Sequence, residues 1–367
     1  METSYSKKPY FFVPLAGRTY RVQAPSRQNL LAGNTLIGKL CITAICKTPL
    51  HFGSGQLVFD EASDSFAHSL LRENGKIALP GSSFKGMFRS IFEAVTESCV
   101  LSAPKAELLR DKVNPLKRCH DNKELCPACS IFGYISNKGD SHKGKLIISS
   151  FVADADAKSG LLSIPQLEQP FKTYPKRQGE QDPRTGNERL YYGDFRDIHG
   201  LDVARLPKKE FFELKKKEAQ SGGNFYGRKF YKHSNRWETQ LGNPSKDLFE
   251  CLLPETTLSG AIVYQGLTED ELGALLFALG LGWGHTIYHK LGYAKPAFFG
   301  SIELSVEPKA LPRYENTSMT ADEASGLAAQ YYETHKESIE DSVRALDQEW
   351  SGIGENEWEK QDNKYGY

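Results

Sequence analysis

The stretch Ile77-Ala-Leu-Pro80-Gly81-Ser82-Ser83-Phe84-Lys85-Gly-Met-Phe-Arg89 decides how this chain is read. Ile77 to Leu79 reads as the end of a strand, and Pro80-Gly81 breaks it. Ser82 or Ser83 is placed to cap a helix, whose apolar positions Phe84, Phe88, Ile91, Phe92 and Val95 recur at helical spacing. A Gly-Ser-Ser turn at a helix N-terminus leaves backbone N–H groups pointing outward, which suits a phosphate. Lys85 falls in the first turn and Arg89 four residues later, on the same face. Two cations and a set of amides then converge, and a phosphodiester backbone is the natural ligand. An ordinary capped helix with a solvated basic face is the competing reading.

Working outward, Leu40 to Cys46 is rich in β-branched and apolar residues and predicts a strand. His51-Phe-Gly-Ser-Gly55 reads as a turn, and Gln56 to Asn74 as a loop carrying Asp60, Glu61 and Asp64. Lys145 to Val152 predicts a second strong strand and Leu258 to Tyr264 a third. Thr268 and Glu271 make a capping box for a helix over 269–281. Phe298 to Val306 alternates as a last strand. Strand, helix, strand, strand, helix, strand is a split βαβ layout, so the expected fold is α+β with a ferredoxin-like (RRM-like) βαββαβ core. The expected organisation is an N-terminal part of the core over 1–164 with a cysteine cluster at 99–133, and a basic insertion over 165–240. The C-terminal part of the core follows over 241–308, then a helical acidic extension over 309–367 whose last 15 residues or so read as loose.

With 46 Lys plus Arg against 46 Asp plus Glu, whole-chain charge names no partner. Its distribution is more informative: residues 165–240 hold 16 basic and 11 acidic side chains, and residues 301–367 hold 6 and 15. No run is long and apolar enough to span a membrane, and no signal-peptide core stands at the N-terminus. A cytoplasmic protein follows, in which clustered cysteines are ligands rather than disulfides.

Four constellations carry chemistry. Cys119, Cys126 and Cys129 have zinc-ligand spacing, with Cys99 or His120 as the fourth ligand; a closed site of this kind is structural. A carboxylate at Asp60 or Asp64 can orient a 2′-hydroxyl, or a metal such as Mg²⁺, for phosphodiester cleavage, against the plainer reading of a solvated loop. Phe225 to His233 alternates Arg228, Lys229 and Lys232 with Tyr231 and other aromatics, which suits single-stranded RNA, against the competing reading of an edge strand with a solvated basic face. Arg177, Arg184, Arg189, Tyr191 and Tyr192 lie upstream of it. His285 to Gly300 joins Lys290 and Lys295 to glycines that permit close backbone approach.

These residues resemble the CRISPR-associated RAMP (repeat-associated mysterious protein) superfamily. Pro80-Gly-Ser-Ser-Phe-Lys-Gly-Met-Phe-Arg89 is similar to its Pro-Gly-Ser-Ser-Leu-Lys-Gly-x-x-Arg signature. Cys126-Pro-Ala-Cys-Ser-Ile-Phe-Gly133 resembles its Cys-Pro-x-Cys-x-x-Phe-Gly element. Lys290 to Ser301 resembles its C-terminal Gly-rich loop, with Ala294 and Phe298 where the family often has Gly. Phe12-Val-Pro-Leu15 and the run from Gly227 look like a subfamily of type III systems. The resemblance spans roughly residues 9–308, and the acidic tail has no counterpart in it.

The resemblance implies a guide-RNA-binding backbone subunit of a type III effector complex, partnered by guide RNA, target RNA and other subunits. It implies that a loop Asp cleaves the target, with Asp64 matching best and Asp60 second. It places Ser82, Ser83, Lys85 and Arg89 on guide phosphates and the 165–240 insertion as a thumb. A structural cap subunit, and a guide-processing endoribonuclease using His51, His68 or His289, are the alternatives.

Overall fold

The computed structural model describes residues 9–15, 19–20, 22–23, 35–99, 119, 124–135, 139–165, 167, 227–237, 244–309 and 319–355. His120, the basic cluster upstream of Gly227 and most of the thumb-like insertion lie outside them. In chain order the strands and helices that position the site are β1 (Tyr10–Val13), β2 (Leu36–Cys46), β3 (Gly53–Asp60), β4 (Ser65–Leu70), β5 (Arg72–Glu73), β6 (Lys76–Leu79) and α1 (Gly81–Ala94). Next come α2 (Pro127–Phe132), β7 (Leu146–Ile148), β8 (Phe151–Ala153), β9 (Ser159–Pro165), β10 (Arg228–Tyr231), β11 (Pro244–Leu252) and β12 (Thr257–Leu267). The last are α3 (Glu269–Ala278), β13 (Tyr288–Lys290), β14 (Ser301–Lys309) and α4 (Ala321–Trp350). The fold is α+β with four α-helices among the described residues.

The main sheet runs β13-β14-β2-β12-β8-β6-β5, with β7 also paired to β12, and its pairings are antiparallel. β2 alternates buried Leu40, Ile42, Ala44 and Cys46 with half-buried neighbours, the period-2 pattern of a strand with one covered face. Phe84 of α1 stacks on Phe151 of β8 at 4.2 Å, and α1 and α3 pack against one another. Residues 145–152, expected as one strand, are two pieces, β7 and β8, separated by Ser149-Ser150. The start of α1 sits against that break: a Cβ on Gly81 would lie 2.7 Å from the Ser149 carbonyl oxygen and closer still to that of Ile148.

A second sheet, β9-β11-β4-β3, corrects another expectation. The segment read as a loop is a β-hairpin, β3 to β4, turning at Glu61–Asp64. It projects from the body, because Leu57, Val58, Phe59 and Phe66 are all about half exposed.

Among the described residues the acidic extension holds one 30-residue helix capped by a Thr320–Glu323 box. One face of this helix is polar and exposed. The other buries Ala324, Ala328, Tyr331, Ile339, Val343, Leu346 and Trp350 against α3 and β1. Trp350 is fully buried, donates from Nε1 to the Tyr231 carbonyl at 2.9 Å and packs edge-on to Phe230. β1 and β10 pair through Tyr10↔Tyr231 to Val13↔Arg228, so α4 clamps a strand near the C-terminal end of the insertion. Among the described residues no helix is long and apolar enough to cross a membrane.

Candidate nucleic-acid interface

The α1 turn and two of the four constellations meet at one groove of ≈ 600 Å³. α1 turns Ser82, Ser83, Gly86, Met87 and Ser90 toward it, residues one helical face apart. The segment after β13 contributes Lys290, Gly292, Tyr293 and Lys295, and β10 contributes Lys229 and Tyr231. His51, Phe52 and Gly53 lie between them. Among its described lining residues are three lysines and no Asp or Glu.

The helix start differs from the expectation. The N-cap is Pro80, whose carbonyl accepts from the Ser83 and Phe84 amides at 3.0 and 3.2 Å, so neither serine caps. Proline takes the position because its fixed φ suits the turn. The Gly81 and Ser82 amides precede the first helical bond, and both serine side chains are exposed. Lys85 and Arg89 lie on the neighbouring face of α1 and are not part of the groove lining. Burial first, and the Arg89 charge second, lower the Lys85 pKa.

Arg89 is engaged elsewhere. Its Nε donates to Glu93 Oε1 at 2.8 Å, Nη1 to the Gly133 carbonyl at 2.8 Å, and Nη2 to Cys129 Sγ at 3.6 Å. Arg228 donates from Nη1 to Glu93 Oε2 at 2.9 Å and from Nη2 to the Ser98 and Cys99 carbonyls. One buried carboxylate therefore joins α1, the cysteine region and β10.

Lys290 is also internal. Its ammonium gives three hydrogen bonds, to the Phe298 and Phe299 carbonyls and to Ser301 Oγ. Burial, with Lys295 nearby, holds its pKa well below the usual lysine range. Lys295 donates to the Gly292 carbonyl at 2.8 Å, and burial lowers its pKa. The segment 290–301 is stitched to the end of β2: Gly300 N–H donates to Pro49, and Tyr293 N–H donates to His51. A Cβ on Gly300, at φ 75°, would collide with the Leu291 carbonyl, so the glycine serves an approach of the chain to itself. Ala294 and Phe298 hold φ 56° and 64°, the left-handed conformation that favours glycine. Each costs about 1–3 kcal/mol, sustained by the burial around them.

His51 Nδ1 lies 2.7 Å from the Glu250 carbonyl, an acceptor, so Nδ1 carries the hydrogen and Nε2 keeps its lone pair. Burial lowers its pKa and keeps the ring neutral. His289 is fully buried and pushed down to about 4 by that burial. His68 stacks on Phe249 at 4.5 Å.

The sulfurs of Cys99, Cys119, Cys126 and Cys129 are buried and lie within 4.8 Å of one another, so Cys99 completes the set. Cys99 and Cys129 Sγ are 3.8 Å apart. A tetrahedral zinc with bonds of about 2.3 Å needs sulfurs about 3.8 Å apart, so this pair already has the spacing. The Cys126 amide donates to Cys119 Sγ at 3.3 Å, and Arg89 adds a donor to Cys129, contacts that favour thiolates. Hydrogen bonds from Cys126, Cys129 and Cys99 hold the Cys119 thiol well below the usual range. Glu93 neutralises one of the two guanidiniums beside it, and a zinc tetrathiolate, with two negative charges, would more than offset the other. The residues fit a metal ion such as zinc.

Asp60, at the far end of β3, and Asp64, in the turn after it, stand apart from the groove; the strand carries Asp60 about 23 Å from Gly53. Asp60 Oδ2 accepts from the Ser63 amide and hydroxyl at 2.9 and 2.6 Å, which shapes the turn. Asp64 is exposed at φ 48°.

The family model described as the RAMP superfamily matches residues 43–303, from within β2 to within β14. The chain belongs to the RAMP superfamily. Membership implies CRISPR-related RNA binding. No curated protein matches this RAMP chain. In this RAMP protein the matched span contains the α1 turn, the four cysteines, β10 and the 290–301 loop. Sequence reading missed Tyr293 and Glu93: nothing in the sequence sets Tyr293 apart from the other rings of its loop, and the second partner of Glu93 lies 135 residues away.

Proposed function

We propose that this RAMP protein is a guide-RNA-binding backbone subunit of a type III CRISPR effector complex, acting in the cytoplasm. The observation that carries the reading is the groove, where the α1 N-terminus, Lys229, Lys295 and aromatic rings converge without a carboxylate. Phosphates meet cations and helix-terminal amides there, contacts that position a strand without reading its sequence. Guide pairing then supplies the choice of target. The order β14-β2-β12-β8, with α1 and α3 as the two helices, is read as the 4-1-3-2 core of a ferredoxin-like fold. Ser82, Ser83, Lys229, Tyr231 and Lys295 are assigned to RNA, with Lys85 beside them. Arg89, Arg228 and Lys290 act as framework that sets the groove walls. Zinc on the four cysteines is structural and fixes α1 against α2.

Target cleavage is assigned to the β3–β4 turn, with Asp64 first and Asp60 second. The carboxylate orients a 2′-hydroxyl and takes its proton as the oxygen attacks the adjacent phosphorus in line. The 2′-O–P bond forms, the P–O5′ bond breaks, and water protonates the leaving oxygen. A divalent cation such as Mg²⁺, which needs only one or two carboxylates beside waters and phosphate oxygens, would stabilise the developing charge at this turn. The test is target-RNA cleavage by the complex reconstituted with guide RNA, scored beside target binding. Asp64→Ala is expected to abolish cleavage and keep binding. Cleavage that survives both Asp64→Ala and Asp60→Ala assigns the chain a structural role instead.

A further inference from the structure

Tyr293 is 46% exposed and lines the groove, yet its ring is held rigidly from behind. It stacks on Phe249 with centroids 5.4 Å apart and planes 23° from parallel, and Phe249 stacks in turn on His68 at 4.5 Å. His51 meets the Tyr293 ring edge-on at 6.2 Å. The backbone beneath is pinned by the Tyr293 N–H to the His51 carbonyl at 2.9 Å, and Gly292 at φ 80° packs against the same carbonyl. Such a ring loses little entropy when a flat ligand covers it. Lys229 and Lys295 line the same groove, with the exposed hydroxyls of Ser82 and Ser83. A pre-ordered ring among cations is the pairing that single strands use, one face for the base and charges for its phosphates.

We propose that Tyr293 is a nucleobase platform: one base of the bound RNA stacks on its open face while the groove lysines meet the flanking phosphates. The proposal rests on the RNA-binding reading of the groove and adds a sequence-tolerant contact to it. Every base has a π-face, so the platform holds any nucleotide in register without selecting it.

The test uses the full chain and a single-stranded oligoribonucleotide carrying 2-aminopurine at successive positions. In the wild type, fluorescence is expected to be quenched at one position of the bound strand. Tyr293→Leu is expected to remove that quench and weaken binding by about five- to a hundredfold, with the slope of affinity against salt unchanged, since no phosphate contact is lost. Tyr293→Phe keeps the ring and is expected to keep both. A strand made abasic at the quenched position is expected to bind wild type and Tyr293→Leu equally. Thermal melts confirm that the variants fold. Equal affinity and equal quench for wild type and Tyr293→Leu overturn the platform and leave the groove reading standing. Absence of RNA binding by the wild type overturns both.

Discussion

Glu93→Gln is the most searching single substitution in this chain. Glu93 is 6% exposed and divides its carboxylate between two guanidiniums, Arg89 at 2.8 Å and Arg228 at 2.9 Å. Glutamine has nearly the same shape but no charge. Its amide oxygen can accept from one arginine, while its NH₂ faces the other donor to donor. Breaking a buried ion pair costs about 3–5 kcal/mol, because a charge is left without its counter-ion. One hydrogen bond survives and the cysteine sulfurs lie nearby, so the low end, about 3 kcal/mol, is expected. For a chain of this size that lowers the urea midpoint by about 1 M. Arg228→Met removes the cation that the glutamine would strand, so the double variant is expected to lose at least about 1 kcal/mol less than the two single losses added. A midpoint for Glu93→Gln within about 0.2 M of wild type would refute the reasoning. The triad would then be a set of contacts without energetic weight.

Other outcomes follow from the same structure. Cys126→Ser is expected to abolish binding of about one zinc per chain, measured by atomic emission, and removing the metal from wild type with a chelator is expected to lower its urea midpoint; a full metal complement in the variant excludes the four-sulfur site. His289 stays neutral in the fold with its pKa at about 4, whereas the unfolded chain takes up a proton near 6.5. Stability is therefore expected to fall as pH drops through 6.5 toward 4, by on the order of 3 kcal/mol, and His289→Gln is expected to flatten that part of the profile measured by urea unfolding.

Much of the fold was legible where local chemistry dictates it. Pro80-Gly81 marks the strand-to-helix corner, and the Thr268–Glu271 box forms as its spacing predicts. The cap at Ser82 or Ser83 was misread because Pro80, two residues before Ser82, takes the position. The β3–β4 hairpin was hidden by the glycines at its start and by apolar side chains that it exposes rather than buries. In α4 the stripe from Ala324 to Trp350 has helical spacing, but nothing in the sequence names α3 and β1 as the elements it buries against. Residue types at the site were readable, but which of them face the groove was not. Arg89, Arg228 and Lys290 look like RNA-binding cations in sequence, yet their partners lie far along the chain or inside the fold. The fourth zinc ligand was open for the same reason: Cys99 reaches Cys129 across 30 residues.

The most direct test is the salt dependence of RNA binding by the full chain. Lys229 and Lys295 are both changed to Gln and compared with wild type on one labelled single-stranded RNA. Two lost phosphate contacts are expected to weaken binding and to reduce the slope of log affinity against log salt by about 1.4. An unchanged affinity with an unchanged slope would contradict the account, because RNA would then bind on another face of the protein.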